Sequence, residues 1–243
     1  MPAKTGSSQR KGDWDVDVAA MAGSLVHEIK NPLSTLNINA QLLLEEWKNA
    51  ATPRELRAVK RLRTMVSEVG RLERILQSFL RFTERHEINL QPTSLNEIIQ
   101  DIAEFVGPEA SRKGIQVRLG LDPELEPFPL DEDLIRQVFL NLVINAKHAM
   151  EEKGGELILR TRSAERDGMR WAVGEVIDTG HGMSKAVEEK IFNLYFSTRK
   201  EGSGLGLATS KRIAEEHGGF IEVETEEGKG SQFSVYLPLE PSR

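Results

Sequence analysis

The chain of 243 residues contains no cysteine. That excludes a disulfide scaffold, a thiol nucleophile and a Cys-ligated zinc site, and it fits a reducing compartment. No apolar run approaches the ~18–20 residues that a membrane span needs. The basic start, MPAKTGSSQRKGDWD, lacks the apolar segment of a signal peptide. The chain is therefore expected to be cytoplasmic, with no membrane insertion. Twenty glycines and ten prolines are ordinary usage, which removes collagen-like and low-complexity classes. An excess of positive charge is missing too. With 32 Lys+Arg against 38 Asp+Glu the net charge is −6, so no nucleic-acid partner is expected. What is there, 39% hydrophobic and 29% charged residues, suffices for one or two ordinary cores.

Residues 1–13 are polar and read as a flexible lead-in. From Val16 to Lys48 a helical period takes over. Ala22, Val26, Ile29, Leu33, Leu36, Ala40, Leu43 and Trp47 follow the 4-3-4-3 spacing of a coiled-coil seam. Asn49–Pro53 supplies a stop and a proline-led restart. A second seam, Leu62, Met65, Val69, Leu72, Leu76 and Phe79, runs to about Arg85. Two long helices joined by a short loop read as an antiparallel hairpin. Both carry apolar residues off the seam, among them Leu25, Ile38, Leu42, Val66 and Ile75. A lone hairpin leaves that surplus bare, so a homodimeric four-helix bundle is expected for residues 14–86.

Residues 87–93 read as a linker, and a different pattern fills 94–243. Ser94-Leu95-Asn96-Glu97 is a capping box that opens a helix to about Phe105. Gly114–Leu121 alternates as a strand, and Leu130–Met150 reads as a helix. GELILRTRS, WAVGEVID, GGFIEVETE and SQFSVYLPL read as strands, with a helix ending at His217 before the last two. This part is expected to be an α+β sandwich, a mixed sheet with helices on one face.

Four stretches carry chemistry. In SLVHEIKNPLS, His27 follows a seam residue and should sit on the flank of the first helix. An imidazole of ordinary pKa is mostly neutral at pH 7 and can act as a nucleophile. Glu28 is a candidate partner or base for one ring nitrogen. Asn31, four residues on, shares the face of His27, and Pro32 should bend the helix. Taken alone, His27 also reads as a solvated surface histidine. In NLVINAKHAM, Asn141 and Asn145 lie at i and i+4. Asparagine is a poor choice inside a helix, so the pair reads either as exposed side chains or as oxygen donors for Mg²⁺. In DTGHGM, Asp178 ends a strand, and Gly180 and Gly182 allow a tight turn or a close ligand. In YFSTRKEGSGLGLA, a glycine-rich loop feeds a helix whose N–H groups can hold phosphate, with Arg199 and Lys200 beside it. The Walker and dinucleotide spacings are both absent.

In this order the stretches resemble the transmitter core of bacterial two-component sensor histidine kinases, most like the nitrogen-regulator subtype. HEIKNP is similar to the phosphoacceptor box and NLVINAKHA to the asparagine box. DTGHGM resembles the first glycine box, YFSTR the phenylalanine box and GSGLGLA the second glycine box. The resemblance covers Val16 to Leu239. It implies a dimeric helical hairpin followed by an ATP-binding domain of the gyrase, heat-shock chaperone and histidine kinase type.

The resemblance further implies that His27 takes the γ-phosphate of ATP, with Glu28 as orienting group or base. The phosphoryl group would pass to an aspartate of a response-regulator receiver domain. Asn31 completes the H-E-x-x-N pattern associated with dephosphorylating that regulator. Asn145 would ligate Mg²⁺, and Asn141 and His148 would contact phosphates or support the metal. Asp178 would accept from the adenine amino group. Gly180, Gly182, Gly204 and Gly206 would shape the pocket and its lid, with Leu205 between them. Phe192 and Phe196 would pack the lid, and Thr198, Arg199, Lys200 and Ser203 would lie along the phosphates. Arg199 departs from the lysine frequent at that place in this subtype; it keeps the charge but offers a planar fork. Because ~15 residues precede the first expected helix, the signal is expected from an upstream sensor domain or protein.

Two other classes compete. A scaffold without chemistry would show a damaged box, and His27 and Asn145 are both present. An ATP-driven clamp would carry a glutamate four residues before Asn145, where this chain has Asn141.

Overall fold

The structure is a computed structural model that describes residues 29–83, 88–199 and 202–240. Its contacts divide the chain into two compact units. One is Met1–His86 with Thr198–Ser203, the other Glu87–Ser197 with Gly204–Arg243.

The first unit is a pair of helices, α1 over residues 29–46 and α2 over Pro53–Thr83. The restart of the chain at α2 is built from three local devices. Pro53 occupies the first helical position, where its missing N–H costs nothing. Thr52 Oγ1 accepts from the Glu55 N–H at 3.3 Å, and the Glu55 carboxylate accepts the Thr52 N–H at 2.9 Å in return. That reciprocal pair satisfies two orphan donors of the helix end. Farther along, Ser34 Oγ donates to the Glu73 carboxylate at 3.4 Å and ties α1 to α2. Burial within the hairpin splits the expected seam. Leu33 and Ala40 are buried, whereas Leu36 is 58% and Met65 57% exposed, and Leu43 and Leu72 are exposed as well. A seam that serves two neighbours is only half used by one, so a single hairpin covers alternate members.

The second unit contains β1 (Gln91–Thr93), α3 (Leu95–Arg112), β2 (Ile115–Gly120), β3 (Phe128–Leu130), α4 (Glu132–Ala149), β4 (Gly155–Arg166), β5 (Met169–Asp178), α5 (Lys185–Glu188), α6 (Gly206–Glu216), β6 (Phe220–Glu226) and β7 (Gly230–Pro238). Five strands form a sheet in the order β2-β4-β5-β7-β6. Only β2 and β4 run parallel, so the sheet is mixed, as expected. Helices α3, α4 and α6 pack on it. The register puts Leu157, Leu159, Val176, Phe233, Val235 and Leu237 together in the core beneath them. A Cβ on Gly174 would collide with the Phe139 ring, so the bare backbone at the middle of β5 is what lets α4 lie close. On the other strand face Glu175 is fully buried between Arg160 and Arg162, with Arg162 Nε 3.0 Å from Oε1.

Four expectations shift. Helix α3 passes Phe105 and runs to Arg112, through Gly107-Pro108. Val106 and Ala110 continue its buried face, and the bond Pro108 forgoes lies between two exposed residues, so tertiary burial outweighs the local breaker. The expected linker ends in structure: Gln91–Thr93 pairs antiparallel with Phe128–Leu130. The expected helix from Leu130 accordingly starts later, after Asp131, whose carboxylate accepts the Leu134 N–H at 3.1 Å as its cap. Strands β4 and β5 both extend to meet at Asp167-Gly168, two left-handed residues that make a two-residue hairpin turn.

Lys147, buried on α4, donates to the exposed Glu109 carboxylate of α3 at 2.7 Å. That bond, with the lysine charge, holds the Glu109 carboxyl below the usual glutamate range. A carboxylate with a depressed native pKa contributes stability above its unfolded pKa, and the contribution vanishes as pH falls through the native value. Glu109→Gln should therefore lower the melting temperature at pH 7, and the gap to the parent chain should close in acid. Melting curves from pH 7 to pH 3 check this; a gap constant over that range contradicts it.

Candidate functional site

Asp178 is the last residue of β5, a middle strand of the sheet, and it is 4% exposed. A buried carboxylate needs donors. Its Oδ1 accepts the Gly180 N–H at 2.8 Å, and the Ser231 backbone N–H also bonds it. Burial raises its pKa above the ordinary aspartate range. The two backbone donors and the nearby His181 pull it partly back. The turn that follows is fastened to the end of α4, where His181 N–H donates to the Ala149 carbonyl at 3.2 Å.

The backbone around Asp178 is packed too closely for side chains. A Cβ on Gly182 would strike the Glu226 carbonyl, and one on Gly230 would strike the Asp178 carbonyl. Both glycines have positive φ, 61° and 116°. The β6–β7 hairpin thus buttresses the turn, with the Gly228 N–H donating to the His181 carbonyl at 2.7 Å. Thr225 Oγ1 accepts the Met183 N–H at 3.0 Å and lies 3.0 Å from Ser231 Oγ. Thr225, Gly230 and Ser231 are site residues that motif reasoning passed over. Their signal was the GKGS turn between two alternating strands, which looks like any hairpin until its register against Asp178 is known.

Helix α4 carries Asn141, Asn145 and His148. Asn141 Nδ2 donates to the Gly206 carbonyl at 3.5 Å and to Ser210 Oγ at 3.4 Å. The asparagine stretch and the glycine-rich start of α6 are therefore brought together. His148 Nδ1 lies 2.6 Å from the Ile144 carbonyl, one turn back. Among the described residues no hydrogen bond of the Asn145 side chain appears, and no cluster of three or more His, Asp or Glu side chains could hold a metal.

The loop before α6 closes on itself. Gly204, φ 68°, has no room for a Cβ against the backbone of Tyr195 and Phe196, and Tyr195 is itself left-handed at φ 63°. Phe192 and Phe196 pack against the core, and Leu205 is fully buried. Thr198, Arg199 and Ser203 group with the first unit, and Lys200 lies outside the described residues. So do His27 and Glu28. Asn31 is described: it is exposed on α1 and its carbonyl accepts from Thr35 Oγ1 at 3.1 Å. The structure thus gathers Asn141, Asp178, Gly180, Gly182 and Gly206 in the second unit and leaves Asn31 in the first.

The chain thus combines a helical pair with a sheet domain that holds a buried aspartate between glycine turns. Residues 18–88 match the His Kinase A (phospho-acceptor) domain, and residues 130–241 match the histidine kinase-, DNA gyrase B- and HSP90-like ATPase domain. The chain is 34% identical to the sensor histidine kinase ZraS of Escherichia coli K12 over 94% of its own length and 47% of that protein. It is 32% identical to the sensory histidine kinase/phosphatase NtrB of Proteus hauseri, over 88% of this chain and 61% of NtrB. Full-length ShkA, solved in complex with AMPPNP, superposes with a TM-score of 0.68 at 26% identity, over 92% of this chain and 46% of ShkA. The chain belongs to the sensor histidine kinase family and has its transmitter core. It spans about half the length of ZraS.

The buttress makes a contrast testable by denaturation. Gly228 also has positive φ, 83°, but a Cβ there meets nothing within 4 Å. Gly228→Ala should cost about 1 kcal/mol of backbone strain. Gly230→Ala adds a collision with the Asp178 carbonyl and should cost about 3 kcal/mol or more. Equal losses in urea unfolding would contradict the close approach.

Proposed function

We propose that the protein is an ATP-dependent histidine autokinase that phosphorylates His27 and passes the phosphoryl group to an aspartate of a response-regulator receiver domain. The observation that carries this reading is the convergence of buried Asp178, Asn141 and the Gly206 helix start on one domain of a chain whose other domain holds the phosphoacceptor stretch. ATP fits the site chemically, and the AMPPNP bound by ShkA supports it. The Asp178 carboxylate accepts from the adenine amino group. Asn145 would hold Mg²⁺ through its amide oxygen, and the ion would supply charge neutralisation of the triphosphate. His148, Thr198, Arg199, Lys200 and Ser203 would steady the phosphates, and the N–H groups opening α6 would face them. Asn141, whose Nδ2 is spent on α6, would support the metal shell through its amide oxygen.

In the transfer, a His27 ring nitrogen attacks the γ-phosphorus in line with the departing ADP oxygen. The N–P bond forms as the P–O bond breaks, and Glu28 takes or holds the proton of the other ring nitrogen. Residues 14–86 act as the dimerisation and phosphotransfer domain and 94–243 as the catalytic domain. In the 87–93 linker, Asn89 and Gln91–Thr93 are held to the second unit, so the joint that lets one domain reach the other lies at the linker's start. The exposed half of the helical seam supports a homodimer in which a second hairpin covers Leu36, Leu43, Met65 and Leu72. An upstream sensor domain or protein supplies the signal, and the cytoplasm supplies the ATP. Asn31, one turn from His27, orients a water for dephosphorylating the regulator, a second activity consistent with the name of NtrB as a kinase/phosphatase.

An ATP-hydrolysing clamp fits less well. The place of its general base is taken by Asn141, which is no base and whose amide is engaged with Gly206 and Ser210. Incubation with γ-labelled ATP and Mg²⁺ separates the two. The expected outcome is acid-labile label on the protein, absent from His27→Ala. Steady phosphate release with no labelled protein would favour the clamp.

A further inference from the structure

Helix α6 lies antiparallel along α4, and a polar link joins the pair near each end of the seam. Toward the start of α6 the Asn141 amide of α4 meets the Gly206 carbonyl and the Oγ of Ser210, which is fully buried. Past the end of α6 the buried ring of His217 takes over. Its Nε2 accepts the backbone N–H of Asp131, the cap of α4, at 3.2 Å. Because Nε2 accepts, the neutral ring carries its proton on Nδ1, which donates to the Ile213 carbonyl at 2.8 Å. Asp131 is itself held in place. Its carboxylate accepts the Leu134 N–H at 3.1 Å and the Asn89 N–H at 3.0 Å.

The two links are matched in spacing. From Asp131 to Asn141 the rise is about 15 Å, and from the Gly206–Ser210 turn to His217 it is about 10–17 Å. A slide of α6 along α4 by a single residue would break both. We infer that Ser210 and His217 are positioning residues. Together they fix the register of α6 against α4, and so the height of the glycine-rich helix start relative to Asn145. Neither needs to touch the nucleotide; Ser210 acts through Asn141 and His217 through Asp131. This inference rests on the reading that Asn145 and the start of α6 hold the ATP tail. A helix end favours phosphate only when its N–H groups are aimed at it, so a lost register weakens nucleotide binding.

The test uses the full chain, Mg²⁺ and a fluorescent trinitrophenyl-ATP, with melting temperatures measured alongside. Each link is a single hydrogen bond or a pair, so losses of about 2- to 12-fold in affinity are the scale. Ser210→Ala should weaken binding about threefold and His217→Leu about tenfold. His217→Gln, whose amide oxygen can accept the Asp131 N–H, should return within about threefold of the parent. Val106→Ala, a buried truncation on α3 away from the seam, should lower the melting temperature while changing affinity less than about twofold. If the seam variants weaken binding no more than Val106→Ala does, or if folded His217→Gln is as impaired as His217→Leu, the positioning role is overturned. If His217→Leu does not fold, Ser210→Ala decides. A parent chain that fails to bind the probe refutes the nucleotide reading itself, a result distinct from normal parent binding with unaffected variants.

Discussion

A carboxylate buried at the end of a middle strand is the constraint from which the second unit follows. Asp178 cannot stay charged there without donors. The donors come from backbone: the Gly180 N–H inside its own turn and the Ser231 N–H across the sheet. Backbone donors must come close, and closeness removes side chains, hence glycine at 182 and 230. The same turn is sewn to the end of α4, and α4 is sewn to α6 through Asn141 and through His217. One desolvated acceptor thereby sets the relation of a strand end, a hairpin and two helices. Under the proposed function this carboxylate would accept from the adenine amino group, a donor that guanine, with a carbonyl at that position, does not offer.

The first unit obeys a different constraint. Its helices spread apolar residues over more surface than two helices can cover, and Leu36 and Met65 remain more than half exposed. Leaving that area bare costs hydrophobic free energy of about 25 cal/mol per Å². The proposed second hairpin would cover it, and dimerisation would then be part of folding rather than an addition to it. Under the proposed function, the nucleophile on such a stalk and the nucleotide on another domain would separate chemistry from binding. Control of the joint between them would then control the reaction.

Much of this was legible beforehand, because it rested on local signals. The Pro53 restart, the Ser94 cap, the five strands of the mixed sheet and the motif residues on α4 and β5 all follow from spacing and side-chain type. What escaped depends on contacts distant in sequence. Helix α3 crosses Gly107-Pro108 because Val106 and Ala110 are buried, which no local rule shows. The short pair β1–β3 has Pro92 opposite Pro129, a composition that argues against strand in isolation. His217 read as the end of a helix, and its bond to Asp131 spans 86 residues. Thr225 and Ser231 join the site only through the register of β6 on β7 and of β7 on β5.

The claim on which the rest stands is that Asp178 offers its carboxylate to a nucleotide base. Calorimetric titration of the chain with AMPPNP and with GMPPNP, each with Mg²⁺, tests it most directly. A bond to a charged acceptor is worth about 1.5–3 kcal/mol, so the adenine nucleotide should bind at least about tenfold more tightly, and Asp178→Asn should erase the difference. Equal affinity for the two nucleotides, or a preference that survives the substitution, would contradict the account.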